Sequence, residues 1–153
     1  FNANRTTMFY KSLIIPAILS VGILLSCSTA KEYPGKFSGE ELHFGQGGGF
    51  TGAVTYFVLL DDGRLYQRAM QDSSYTLLDT WDNKFVKQMF NNYKSFKLDK
   101  VTFYEPGDMY YFIQHKSGES PMHRIAWGRP GTEPDEIIVR YYNLLYKSTK
   151  SKS

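Results

Sequence analysis

Apolar and polar positions alternate along this chain in two different periods, and the changes of period divide it into elements. Glu40 to Phe44 is a short strand candidate. Ala53 to Leu60 ("AVTYFVLL") is apolar on both faces, as expected of a central strand. Asp61 to Arg64 ("DDGR") contains Asp-Gly, a hairpin signal, and Leu65 to Met70 returns from it. Ser74 to Trp81 reads either as another short strand or as an extended crossing. The period then becomes helical. After Asp82, an N-cap candidate, Phe85, Val86, Met89, Phe90 and Tyr93 form one apolar stripe. Tyr104 to Asp108 ("YEPGD") is a turn, and Met109 to His115 and His123 to Gly128 are two strands joined by a hairpin. Pro134 suits the first turn of a closing helix, with Glu133, Asp135 and Glu136 at its positive end. Ile137, Ile138, Tyr141, Leu144 and Leu145 form the face that this helix is expected to bury. The order predicts an α+β fold: an antiparallel sheet of about four to five strands with two helices on one face.

The segments outside this pattern carry a different message. Seven residues precede Met8 and read as translated upstream sequence. One cation, Lys11, is followed by a charge-free apolar run from Ser12 to Ser26, which is short for a membrane span of about 20 residues. A positive start, a short apolar run and small residues at its end make a secretory signal peptide. The expected division is a leader over 1–26, a tether over 27–39, one domain over 40–147 and a disordered tail over 148–153. Without the leader, Arg5 and Lys11 are lost and 16 cations face 15 acids, so the net charge falls from +3 to +1. That balance gives no case for nucleic acid as a partner. Cys27 is the only cysteine, which excludes an intramolecular disulfide; the domain must be held by its own core.

"LLSC" (Leu24 to Cys27) resembles the lipobox of bacterial lipoproteins. The resemblance implies cleavage before Cys27, acyl chains on Cys27 and attachment to a membrane. Several acyl chains hold a protein to a bilayer far more firmly than one, at about 0.8 kcal/mol for each buried CH₂. Ser28 stands where an Asp would signal retention in the inner membrane of that class, so the outer membrane is the expected location.

"GQGGGFTGAVTYF" (Gly45 to Phe57) concentrates the candidate chemistry. It formally contains G-x-G-x-x-G at Gly47, Gly49 and Gly52, with Asp72 twenty residues beyond the last of them. A dinucleotide site needs a helix directly after the third glycine, whereas strand formers follow here. No Lys-Ser or Lys-Thr follows either, so no nucleotide is expected. His43, His115 and His123 lie in separate strands without metal-site spacing, although His115 and His123 flank a hairpin and could face each other. No G-x-S-x-G elbow occurs, and Glu105 and Asp108 sit in a turn where solvated carboxylates are common. Neither a cofactor nor a metal is expected, and nothing marks an enzyme.

The run "LHFGQGGGFTGAVTYFVL", a following helix, "DMYYFIQHKSGESPMHRIAW" and "EIIVRYYNLL" together resemble the emfourin-type domain. Founding members of that family are proteinaceous inhibitors of thermolysin-like metallopeptidases. The matching motif is Gly48, Gly49, Phe50, Thr51 and Gly52. The resemblance implies a protein-binding role for these five residues, with a peptidase or another envelope protein as the partner. The chain departs from the family in its lipobox, in lacking an Arg-rich stretch after the motif, and in the longer segment before its first helix. The alternative is an accessory lipoprotein of an envelope assembly, without inhibition. Two readings of Phe50 stand side by side: a core residue locked by a glycine bend, or a side chain presented to a partner.

Overall fold

The computed structural model describes residues 32–150, so the leader, Cys27 and the first part of the tether lie outside the described residues. Seven strands and two helices follow one another as β1 (Glu40–Gly48), β2 (Val54–Leu60), β3 (Arg64–Arg68), β4 (Tyr75–Thr80), α1 (Asn83–Ser95), β5 (Tyr104–Glu105), β6 (Met109–Ser117), β7 (His123–Trp127) and α2 (Glu136–Ser148). The strands form one sheet in the order β4-β3-β2-β1-β6-β7-β5. The fold is α+β, as the periodicity predicts.

The sheet is larger than expected, and it is mixed rather than antiparallel. Ser74 to Trp81 resolves as a strand because Tyr75–Thr80 pairs with β3, with an irregularity in register between Leu65 and Tyr66. The turn segment around Pro106 contributes a strand that was not expected. Tyr104 and Glu105 run parallel to Ala126 and Trp127, a pairing that two residues of sequence cannot announce.

Strand β1 is central. It pairs antiparallel with β2 from Glu41↔Leu60 to Gly47↔Val54, and with β6 from Glu40↔Ser117 to Gly48↔Met109. The glycine-rich run is therefore ladder strand as far as Gly48. Alternation along β1 sends Leu42 and Phe44 to one face and Glu41, His43, Gly45 and Gly47 to the other. Both helices cover the first face. There Leu42, Phe44, Leu59, Ile113 and Ile125 meet Val86, Met89, Phe90 and Tyr93 of α1 and Ile138, Tyr141, Tyr142 and Leu145 of α2. The Tyr141 hydroxyl donates to the carbonyl of Met89 at 2.9 Å and ties the two helices together.

Local chemistry sets the helix starts. The Asp82 carboxylate accepts from the N–H groups of Lys84 and Phe85 at 3.0 and 3.1 Å, which satisfies two donors that have no partner within the helix. Asp135 does the same for Ile137 at 3.1 Å. Pro134 consequently precedes the cap of α2 instead of lying in its first turn. The buried stripe of α2 is also rotated from expectation: Leu144 is 40 % exposed, and Tyr142 is buried in its stead. Tyr142 packs edge-on against Trp127 at 5.3 Å, a contact that depends on where β7 sits and not on helical spacing. At the carboxyl end α2 takes in Ser148, which was expected in the tail; its hydroxyl donates to the Leu144 carbonyl at 2.8 Å.

The second face of the sheet carries a smaller apolar cluster of Tyr56, Val58, Leu60, Tyr66, Phe112 and Ala126, and no helix among the described residues covers it. Part of it is closed by the segment 32–39, which was expected to be tether. The N–H of Gly35 donates to both carboxylate oxygens of Glu41 at 2.9 and 3.1 Å, and the Tyr33 ring lies 6.4 Å from Tyr66.

Leu145 is fully buried between α2 and the sheet, whereas Leu144 is not. Leu145→Ala is expected to cost about 2–5 kcal/mol of unfolding free energy and Leu144→Ala less than about 1 kcal/mol. Urea denaturation of the two variants checks this, and equal losses would contradict the rotated stripe.

Candidate functional site

The glycines of β1 perform two different tasks. Gly45 makes room. Tyr56 on β2 and Phe112 on β6 are both its register partners, and their rings approach to 5.0 Å across it. A Cβ at Gly45 would stand 2.0 Å from the Thr55 carbonyl oxygen and 3.0 Å from the Phe112 ring. Gly48 and Gly49 instead turn the chain. Their φ angles of +98° and +75° lie in the left-handed region, and a Cβ at Gly48 would collide with the Asp108 carbonyl.

The five-residue motif from Gly48 to Gly52 is thus the end of β1 and the turn into β2. The N–H of Gly49 donates to the Asp108 carbonyl at 2.8 Å, and the N–H of Gly52 donates to the Gly49 carbonyl at 3.0 Å. The Thr51 hydroxyl accepts from the Ala53 N–H at 3.4 Å. Phe50 sits at the apex with a relative exposure of 110 %, so the core reading of Phe50 is overturned. The reason is geometric: the bend lies beyond the last ladder pair, where no element among the described residues stands above or below the ring. Met109, 48 % exposed, is its apolar neighbour on β6, with its sulfur against Gly49.

A polar chain on the uncovered face escaped sequence reasoning. Glu41 and His43 are 0 % and 2 % exposed, although they sit on the side away from the helices. The His43 Nε2–H donates to Glu41 at 2.7 Å, because an ionised carboxylate only accepts. Burial pushes the pKa of the Tyr56 hydroxyl up to about 12, which keeps it protonated, and it donates to His43 Nδ1 at 2.9 Å. Gln114 satisfies both of its neighbours when its amide nitrogen donates to Tyr56 at 3.2 Å and its oxygen accepts from Arg124 Nε and Nη2 at 2.6 and 2.7 Å. Each link from Arg124 to Glu41 therefore pairs one donor with one acceptor. The only sequence signal was the pair of polar residues, Glu41 and His43, on either side of Leu42 in the strand; Tyr56, Gln114 and Arg124 join it through register alone.

The other two histidines are on the helix face. His115 and His123 are direct register partners on β6 and β7, and both rings pack against Tyr93. His123 Nε2–H donates to the Val101 carbonyl at 2.8 Å and Nδ1 accepts from the Tyr93 hydroxyl at 2.6 Å. His115 instead meets Glu40, which also pairs with Lys94. Among the described residues no three His, Cys, Asp or Glu side chains converge on a point where a metal ion would sit. Glu105 is engaged by Arg129 at 2.6 Å.

In comparison with known proteins, no family model matches the chain and no curated protein matches it in sequence. The emfourin-type resemblance accordingly rests on the quoted residues.

Three groups around β1 link folding to pH. For Glu40 and Glu41 burial is the largest influence and opposes ionisation. Hydrogen bonds outweigh it, from Lys94 and His115 to Glu40 and from His43 and Gly35 to Glu41, and hold both below the usual 4.5. Burial also dominates at His115 and holds it below 6.5, with Lys94 and His123 acting in the same direction and Glu40 opposing. A depressed folded-state pKa gives stability that is present above the unfolded value and lost as pH falls through the folded one. The His115 contribution is therefore lost below 6.5 and the carboxylate contributions below 4.5. The melting temperature is expected to fall on acidification from neutral pH in two stages, and His115→Gln is expected to remove the upper stage alone. A flat wild-type profile between pH 7 and 4 would contradict this assignment.

Proposed function

We propose that this chain is a non-enzymatic, lipid-anchored lipoprotein of the bacterial cell envelope, held in the outer membrane through acyl chains on Cys27. Its domain binds another protein through the turn from Gly48 to Gly52, and the partner is a thermolysin-like metallopeptidase that it inhibits. One observation carries the binding surface: a fully exposed Phe50 on a turn whose backbone is fixed by Asp108 and by its own internal bond.

An exposed phenylalanine on a fixed turn loses little conformational freedom on binding and offers a large apolar contact, the properties of an interface anchor. The glycines on either side leave the backbone bare, so a cleft can close on it. Support for the anchor is the "LLSC" sequence at Leu24 to Cys27. Among the described residues no helix is long and apolar enough to cross a membrane.

Two experiments test the two halves of this reading. Cys27→Ser is expected to abolish incorporation of labelled palmitate and to leave the precursor uncut; labelling at the wild-type level removes the anchor from the proposal. The purified protein is expected to slow a thermolysin-like peptidase, and Phe50→Ala to weaken that inhibition while the melting temperature stays within a few degrees. Absence of inhibition by the folded wild-type protein across several such peptidases leaves the accessory-lipoprotein reading in its place.

A further inference from the structure

The uncovered sheet face is organised as a transverse row, one residue from each strand: Tyr75, Arg68, Tyr56, Gly45, Phe112, Ala126 and Tyr104. Arg68, Gly45 and Ala126 alternate with rings, and a guanidinium lies near each end. Arg68 lies over the Tyr56 ring at 5.3 Å and the Tyr75 ring at 6.0 Å, and donates to the Ser73 hydroxyl at 2.9 Å. Its buried Nε–H has no acceptor among the described residues. Arg124 lies over the Tyr104 ring at 5.8 Å, and two of its nitrogens are engaged only by the neutral amide of Gln114. Among the described residues neither guanidinium has a carboxylate within ion-pair distance, whereas Arg64, Arg129 and Arg140 each have one. Beside Arg124 a groove of about 300 Å³ opens over Ala126, walled by Tyr104 on one side and Tyr110 and Phe112 on the other. Tyr104 is 56 % exposed.

We propose that this face binds a linear acidic saccharide, with a carboxylate-bearing sugar ring in the groove against Tyr104 and its carboxylate on Arg124. A second carboxylate further along the chain meets Arg68. The charge follows from two cations for which the described residues supply no anion. The length follows from the sheet: Arg68 on β3 and Arg124 on β7 are four strand intervals apart, roughly 19 Å, a span for a repeating polyanion and not for one small ion. The sugar follows from the surface itself. A sheet face offers rings and guanidinium planes but no free backbone groups, so a peptide laid across it would leave its own N–H and C=O groups unpaired. The apolar C–H face of a pyranose packs on a tyrosine ring, while its hydroxyls remain open to water and to the phenol groups. The site is on the face of the sheet and does not depend on the Phe50 turn or on the peptidase reading.

Calorimetric titration of the full-length protein with a short linear oligogalacturonate, at low and at high salt, tests the proposal. Binding is expected and is weakened by salt, as expected of paired exposed charges. Arg124→Gln and Arg68→Gln are each expected to weaken it by about tenfold, the loss of one charge-assisted contact. Tyr104→Ala, which alters an exposed ring, is expected to weaken binding with the melting temperature unchanged, and it serves as the decisive variant should Arg124→Gln fail to fold. No binding, equal binding of the fully methyl-esterified oligomer, unchanged affinity in Tyr104→Ala, or tighter binding of polyglutamate would each overturn the proposal, the last in favour of an acidic peptide.

Discussion

Double pairing of β1 is the constraint on which the rest of the structure depends. Nine residues, Glu40–Gly48, form ladders with β2 on one side and β6 on the other, and the outer strands attach to those two. A strand held on both edges cannot slip by one position without sending Leu42 and Phe44 out of the helix-covered core and Glu41 and His43 into it. Burial therefore fixes the register, and the register fixes which residues meet on the opposite face. The exposed turn at Phe50 is equally a consequence. Ladder pairing ends at Gly48, and two consecutive positive φ angles carry the chain out of the sheet there.

The two faces of the sheet obey different rules. Beneath the helices the contacts are apolar and aromatic; the Tyr93 and Tyr141 hydroxyls and the His123 imidazole are satisfied there, while the buried Tyr142 hydroxyl has no partner among the described residues. On the uncovered face, Glu41 and His43 are as deeply buried as the leucines, but at a cost that only complete hydrogen bonding offsets. The chain from Arg124 through Gln114, Tyr56 and His43 to Glu41 supplies that bonding. It crosses four strands, so it also ties β2, β1, β6 and β7 together through side chains. Removing one member would strand its neighbours, which is why such a chain specifies one register more strongly than it stabilises the fold.

The same face shows why a glycine-rich strand is not a phosphate cradle here. Gly45 is followed by ladder partners rather than by a helix, so its missing side chain is filled by Tyr56 and Phe112. Absence of a Cβ serves ring packing across the strand. At Gly48 the same absence serves a close approach to the Asp108 carbonyl. Two physically distinct demands, three residues apart, account for the composition that first draws attention to this stretch.

By itself the sequence determined the elements whose signal is local. The stripe from Phe85 to Tyr93, the cap at Asp82, the Asp-Gly hairpin at Asp62 and Gly63, and the α+β order all follow from spacing and turn chemistry within a few residues. Tertiary structure decided everything that depends on a distant partner. Tyr104 and Glu105 become a strand because Ala126 and Trp127 are there to pair with, and Tyr142 displaces Leu144 from the core because Trp127 faces it. Phe50 is exposed because no described element stands over the end of β1, and Glu41, His43, Tyr56, Gln114 and Arg124 form one chain because strand register aligns residues up to 83 positions apart. Local periodicity records which side of an element is apolar; which residues lie opposite one another is set only when the strands pair.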